Sequence, residues 1–193
     1  MNVSINETDA LVLVDIQSDF CTGSLAVPNA LDIIETVNKY IDLFYKQKLP
    51  IVLTRDWHPI NHSSFKGFGG IWPVHCVQNT PGANFYKDLK IPNDSIIISK
   101  GTDPSRDAYS AFDGTNLNPY RLKGLNIKRL FIGGLATDYC VKETILDSLS
   151  LGYTTFFLSD ISKAVNINSG DEKKAIDEML QAGAISITLN ELI

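Results

Sequence analysis

Three observations predict the fold class. Six short apolar runs alternate with segments of helical periodicity, the pattern of a parallel sheet with crossover helices. Several runs, such as Ala10-Leu11-Val12-Leu13-Val14, are apolar at every position, so both faces of their strands are to be covered. No internal repeat, low-complexity tract or linker breaks the alternation, so residues 1–193 read as a single domain. The expectation is an α/β fold: a three-layer, open six-stranded and mainly parallel sheet with helices on both faces, Rossmann-like in architecture.

The elements follow in order. Residues 10–14 are the first strand, ended by Asp15. After a loop, Asn29 is placed to cap a helix running to about residue 48, with Leu31, Ile34, Val37, Ile41 and Phe44 on one face. Residues 50–54 form a second strand, ending at Arg55-Asp56. A turn-rich stretch over residues 57–93 is too long for a plain connector and reads as functional. Residues 95–99 are the third strand, ending at Lys100; an irregular loop over 103–118 and a short helix to about 123 follow. Residues 128–133 are the fourth strand and lead through Gly133-Gly134-Leu135-Ala136-Thr137-Asp138-Tyr139-Cys140 into a helix over 141–151. A fifth strand covers 153–158, ending near Asp160. A helix from Ser169 turns Ala175, Ile176, Met179 and Leu180 inward, and 184–189 is the sixth strand.

Composition narrows the function classes. The chain is 44% hydrophobic and 20% charged with a net charge of −5, which argues against a broad nucleic-acid surface. No apolar run approaches the roughly 20 residues that span a bilayer, so no membrane partner is expected. Residues 1–9 are polar and acidic, unlike a signal peptide, and the three widely spaced cysteines suit reduced thiols; both point to the cytoplasm.

Ligands of open parallel sheets bind outside the carboxyl ends of the strands. Asp15, Asp56, Lys100 and the Cys140 loop each follow such an end, so the fold rule gathers residues that the sequence scatters. At a helix start Cys140 feels the positive end of the helix dipole, which favours thiolate. It reads as a nucleophile, or else as a small buried core residue. Asp15 offers a base and Lys100 a cation beside it. All three histidines lie between residues 58 and 75. Asp56-x-His58 puts two ligands on one side of an extended segment. A third from the same loop makes a facial two-histidine, one-carboxylate set for one divalent metal ion, Zn, Fe or Mn. His62 stands as a candidate fourth ligand or a supporting group. Phe20, Trp72 and Tyr109 lie in the same loops and suit a flat aromatic substrate. Cys21 and Cys76 read as structural thiols, and the Gly133-Gly134 pair lacks the spacing of a dinucleotide fingerprint.

These residues sit in stretches that resemble, in order and over most of the chain, the nicotinamidase/pyrazinamidase branch of the isochorismatase-like cysteine hydrolases. The stretches are Asp15-Ile16-Gln17-Ser18-Asp19-Phe20, Thr54-Arg55-Asp56-Trp57-His58-Pro59, Trp72-Pro73-Val74-His75-Cys76, Ser99-Lys100-Gly101, Tyr109-Ser110-Ala111-Phe112 and Gly134-Leu135-Ala136-Thr137-Asp138-Tyr139-Cys140. The resemblance implies hydrolysis of nicotinamide to nicotinate and ammonia in NAD salvage, and of pyrazinamide as well. It implies Cys140 as the nucleophile forming a thioester, Asp15 as the proton carrier and Lys100 as the cation of the pair. A cis peptide at Leu135-Ala136 would aim the N–H groups of Ala136 and Cys140 at an oxyanion. Asp56, His58 and His75 are implied as metal ligands, the metal meeting the pyridine nitrogen. Phe20 and Trp72 are implied as the ring clamp, Leu135, Ala136 and Tyr109 also as substrate contacts, and the assembly as a homo-oligomer. The segment between His62 and Trp72 is short and glycine-rich beside that of some relatives, which implies a more open pocket. Two other readings stay in view: a metal-independent amidase of the same superfamily acting on a carbamoyl or ureido substrate, and a non-catalytic nicotinamide- or metal-binding protein.

Overall fold

The computed structural model describes residues 2–113 and 124–193. Six strands form one sheet: β1 (Asp9–Val14), β2 (Ile51–Asp56), β3 (Ile96–Lys100), β4 (Arg129–Leu135), β5 (Thr154–Lys163) and β6 (Ile185–Ile187). Their order is β3-β2-β1-β4-β5-β6, and every pairing is parallel. The chain steps outward from β1 to β3, then returns to lay β4 against the other side of β1. That reversal opens a crevice at the carboxyl ends of β1 and β4, where parallel sheets bind ligands.

Both faces are covered. On β1, Leu11 and Leu13 pack with helix α2 (Ile34–Lys46), which follows the single-turn helix α1 (Ser18–Cys21). Ala10, Val12 and Val14 pack on the other face with helices α3 (Lys142–Ser150) and α4 (Asp171–Gln181). α2 buries Ile34, Val37, Tyr40, Ile41 and Phe44 at helical spacing, and Phe44 meets Phe131 edge-on at 5.4 Å. Each such apolar side chain contributes about 1.5–3 kcal/mol on leaving water, before entropy is charged against it.

Several local expectations are corrected. A 3₁₀ turn (Ala30–Ile33) precedes α2, and Leu31 lies outside the buried stripe, exposed to 46%. Asn29 takes a left-handed conformation (φ 58°) and makes no side-chain cap bond. β5 runs on to Lys163, so Asp160 lies within the strand rather than ending it. There it accepts a hydrogen bond from the Tyr40 hydroxyl. Its extension follows a register shift between Ile132 and Gly134 on β4. β6 is shorter than its apolar run, since a 3₁₀ turn with a capping box takes over at Thr188. α4 starts at Asp171, after Gly170 in a left-handed turn, and Leu180 faces solvent at 41% exposure. The short helix expected up to residue 123 falls outside the described residues.

Candidate active site and metal centre

The loop after β4 holds Cys140. Gly134 has φ 131°, and a Cβ there would sit 2.2 Å from the Val14 carbonyl oxygen, so only glycine lets β4 press against the end of β1. The Leu135–Ala136 peptide is cis. Residues Thr137–Val141 then form a π-type turn, closed by the Val141 N–H donating to the Ala136 oxygen at 3.1 Å. Such turns recur at functional sites because they re-aim one side chain within a helix. Cys140 therefore sits in a wide turn ahead of α3, not in the first turn of a regular helix, and is buried.

Strand register brings the charged partners to it. β2 and β3 pair Asp56 directly with Lys100. The fully buried Lys100 ammonium lies 2.7 Å from Asp15 Oδ2, 2.5 Å from Asp56 Oδ1 and 3.2 Å from Cys140 Sγ, and donates to the Ala108 carbonyl at 3.4 Å. Asp15 follows β1 in a left-handed conformation (φ 49°). Thr54 holds it, donating to Oδ1 at 2.6 Å and accepting the Asp15 N–H at 3.2 Å. Burial alone would lower the Lys100 pKa, but Asp15, Asp56 and Cys140 outweigh it and hold the ammonium well above the usual lysine value. Burial also raises the Asp15 carboxyl, against the pull of Lys100. The Cys140 thiol rises well above its ordinary value for the same reason, again against Lys100. Burial thus opposes the helix-end effect at the sulfur, and attack by the thiol calls for a base. Asp15, with its raised pKa and an oxygen within 4.8 Å of that sulfur, is placed to be one.

The second cluster adjoins the first through Asp56. Asp56, His58 and His75 are all buried, and their ligand atoms lie within 4.8 Å of one another. His58 Nδ1 donates to the Gly101 carbonyl at 2.9 Å and His75 Nδ1 to the Pro73 carbonyl at 2.8 Å. A carbonyl only accepts, so both rings carry their hydrogen on Nδ1. Both Nε2 atoms are left facing Asp56 Oδ2, at 3.4 and 3.8 Å. Backbone-oriented imidazoles with a free Nε2 beside a carboxylate are the arrangement of a metal site. The charge also fits: two buried carboxylates stand against one ammonium. Burial raises the Asp56 carboxyl, but Lys100, His58 and His75 together carry it well below the usual range; burial lowers His75. The residues present therefore fit one divalent cation.

Sequence reasoning missed the parts that hold this cradle. Gln17, fully buried, donates through Nε2 to the Asp56 and Ala83 carbonyls (2.8 and 2.9 Å). It accepts the Asp56 N–H at 2.7 Å, clamping the ligand's backbone on both sides. Gly101 has φ 61°, and a Cβ there would lie 2.3 Å from the His58 ring. His62 is buried against His58, ring centroids 4.2 Å apart, but its Nδ1 meets Ser64 Oγ at 2.7 Å and its Nε2 the Arg106 carbonyl at 3.2 Å. It lies outside the three-residue ligand cluster.

A cleft opens over both clusters. Asp56, His75 and Cys140 form its floor; Phe20, Trp72, Tyr109, Ala136 and also Leu25, Tyr139 and Val165 form its walls. Trp72 donates through Nε1 to the Tyr109 hydroxyl at 3.2 Å and meets Tyr139 edge-on at 4.9 Å. Leu135 lies in the core below, buried, and is not part of the lining. Tyr139 directly precedes Cys140 in sequence, and that adjacency was the signal available for it. Leu25 and Val165 come from loops that carried none. Cys21 and Cys76 are free and buried, and burial pushes the Cys21 thiol up to about 12.

The isochorismatase domain model matches residues 9–191. The chain belongs to the isochorismatase domain family. It is 39% identical to the nicotinamidase of Escherichia coli (strain K12), covering 93% of this chain and 94% of that relative. Among solved structures it is similar to the pyrazinamidase of Pyrococcus horikoshii in complex with zinc, at 46% identity and a TM-score of 0.89. That match covers 94% of this chain and 99% of that one. PnC1 from L. infantum in complex with nicotinate matches at 30% identity and a TM-score of 0.90, covering 100% and 99%. Among the described residues no helix is long and apolar enough to cross a membrane.

Proposed function

We propose that this protein is a metal-dependent cysteine amidohydrolase that converts nicotinamide to nicotinate and ammonia, with pyrazinamide as a second substrate. The observation that carries the reading is the shared floor of one aromatic cleft: a buried thiol beside a carboxylate and an ammonium, next to a three-residue metal cradle. The relatives named above supply the substrate class. A metal-independent amidase would have no use for the second cluster.

The chemistry follows from the residues. Phe20 and Trp72 hold the flat ring, with the carboxamide over Cys140. Asp15 takes the Cys140 proton as the sulfur attacks the carboxamide carbon, and Lys100, in contact with both, holds the negative charge as it passes from carboxylate to sulfur. The N–H groups of Ala136 and Cys140 receive the oxyanion. Asp15 passes its proton to the departing nitrogen, ammonia leaves, and a thioester stays on Cys140. Water then gives a proton to Asp15 and attacks the thioester. The intermediate collapses to nicotinic acid, which releases its remaining proton to water and departs as nicotinate, and Asp15 returns its own proton to the sulfur. A metal held by Asp56, His58 and His75 would supply an electrophilic point that could orient the ring through its nitrogen. The test is ammonia release from a panel of amides by purified protein loaded with Zn, Fe or Mn, with and without chelator. Release from nicotinamide that chelation abolishes is expected; no release under any metal rejects the reading.

A further inference from the structure

Thr144, in the first turn of α3, is fully buried, and its hydroxyl is used twice. It donates to the Cys140 carbonyl at 2.7 Å and accepts the Ala111 N–H at 3.0 Å. Ala111 is itself fully buried, and Thr144 answers its N–H. The segment ending there carries two groups already met: the Ala108 carbonyl, which receives Lys100 Nζ, and Tyr109, whose hydroxyl receives Trp72 Nε1. One hydroxyl therefore ties the turn bearing the sulfur to the loop bearing the cleft's aromatic wall.

We infer that Thr144 is a positioning residue that sets Cys140 and the Tyr109–Trp72 wall in register with each other. The inference rests on the reading of Cys140 as nucleophile. A shift of one ångström between sulfur and bound carbonyl is enough to cost a large factor in rate. The hydroxyl fixes both sides of that distance: sulfur through the Cys140 carbonyl, substrate through the wall.

Two substitutions separate positioning from packing. Thr144→Val keeps the shape and removes the hydroxyl, leaving the Ala111 N–H buried without a partner. Thr144→Ser keeps the hydroxyl and removes a methyl. The expected result is a fall of about tenfold in kcat with a raised KM for Thr144→Val, and near-normal kinetics for Thr144→Ser despite its lost methyl packing. A merely structural role would lower the denaturation midpoint of either variant and leave the kinetics of the folded enzyme alone. Thr144→Ala gives the same kinetic readout if the valine variant does not fold. Wild-type kcat and KM in the hydroxyl-free variants, with Cys140→Ala inactive, overturn the inference. An active Cys140→Ala variant overturns the nucleophile reading beneath it instead.

Discussion

The thiol cluster and the metal cradle share Asp56 and are held by different means. Lys100 ends β3, and Asp15 and the Cys140 turn follow β1 and β4, so sheet register fixes their spacing: Asp56 pairs with Lys100 across β2 and β3, and Val14 with Gly134 across β1 and β4. His58 and His75 stand on the loop after β2, outside the sheet, where an isolated parallel bridge joins His58 to Val77. There Gly101 and Pro73 carbonyls orient the rings and Gln17 pins the Asp56 backbone. The first cluster draws its precision from the fold and the second from individual hydrogen bonds. Damage to the first therefore threatens the protein, whereas damage to the second threatens metal and substrate choice.

The largest effect should come from Lys100→Met. It leaves the Asp15 and Asp56 carboxylates buried without their cation, and losing one partner of such a group costs about 3–5 kcal/mol. Urea denaturation should show that loss together with abolished turnover; unchanged stability would mean that the cluster is not closed to water. His75→Ala should instead leave the fold intact and empty the cradle. Elemental analysis should find the metal lost from the purified variant, while a full complement would remove His75 from the ligand set.

Much of the thiol cluster was legible because strand ends are readable. An apolar run that stops at Asp15 or Lys100 announces both the strand and the residue at its mouth, and the parallel-sheet rule does the rest. Histidine clustering pointed to Asp56, His58 and a third residue of the same loop, and the resemblance singled out His75, but the groups that support them were not legible. Gln17 looks like any polar residue after a strand, and its partners at Asp56 and Ala83 are far off in sequence. The desolvation that opposes a thiolate at Cys140 was not legible, because helix position is visible in a sequence and burial is not. Leu31 and Leu180 were misplaced because periodicity locates a stripe but not where packing ends.

Gly101→Ala sharpens the comparison from the cradle's side. Its Cβ would collide with the His58 ring in a backbone conformation that disfavours side chains. A loss of about 10–100-fold in metal affinity, the range for disturbed supporting groups, should appear in chelator competition; unaltered affinity would show that the ring does not need its carbonyl partner. The smallest effect belongs to His62→Gln. With both His62 nitrogens already engaged by Ser64 and Arg106, metal stoichiometry should stay as in the unaltered protein, and a loss matching that of His75→Ala would make it a fourth ligand.

The central claim is that Cys140 carries the acyl group. Metal-loaded protein mixed with excess nicotinamide and quenched in acid within the first turnovers, then digested and weighed by mass spectrometry, tests it directly. The account predicts a nicotinoyl thioester on the peptide containing Cys140, and none on the peptides containing Cys21 or Cys76. Rapid ammonia release with Cys140→Ala, or an acyl group on any other residue during turnover, would contradict it.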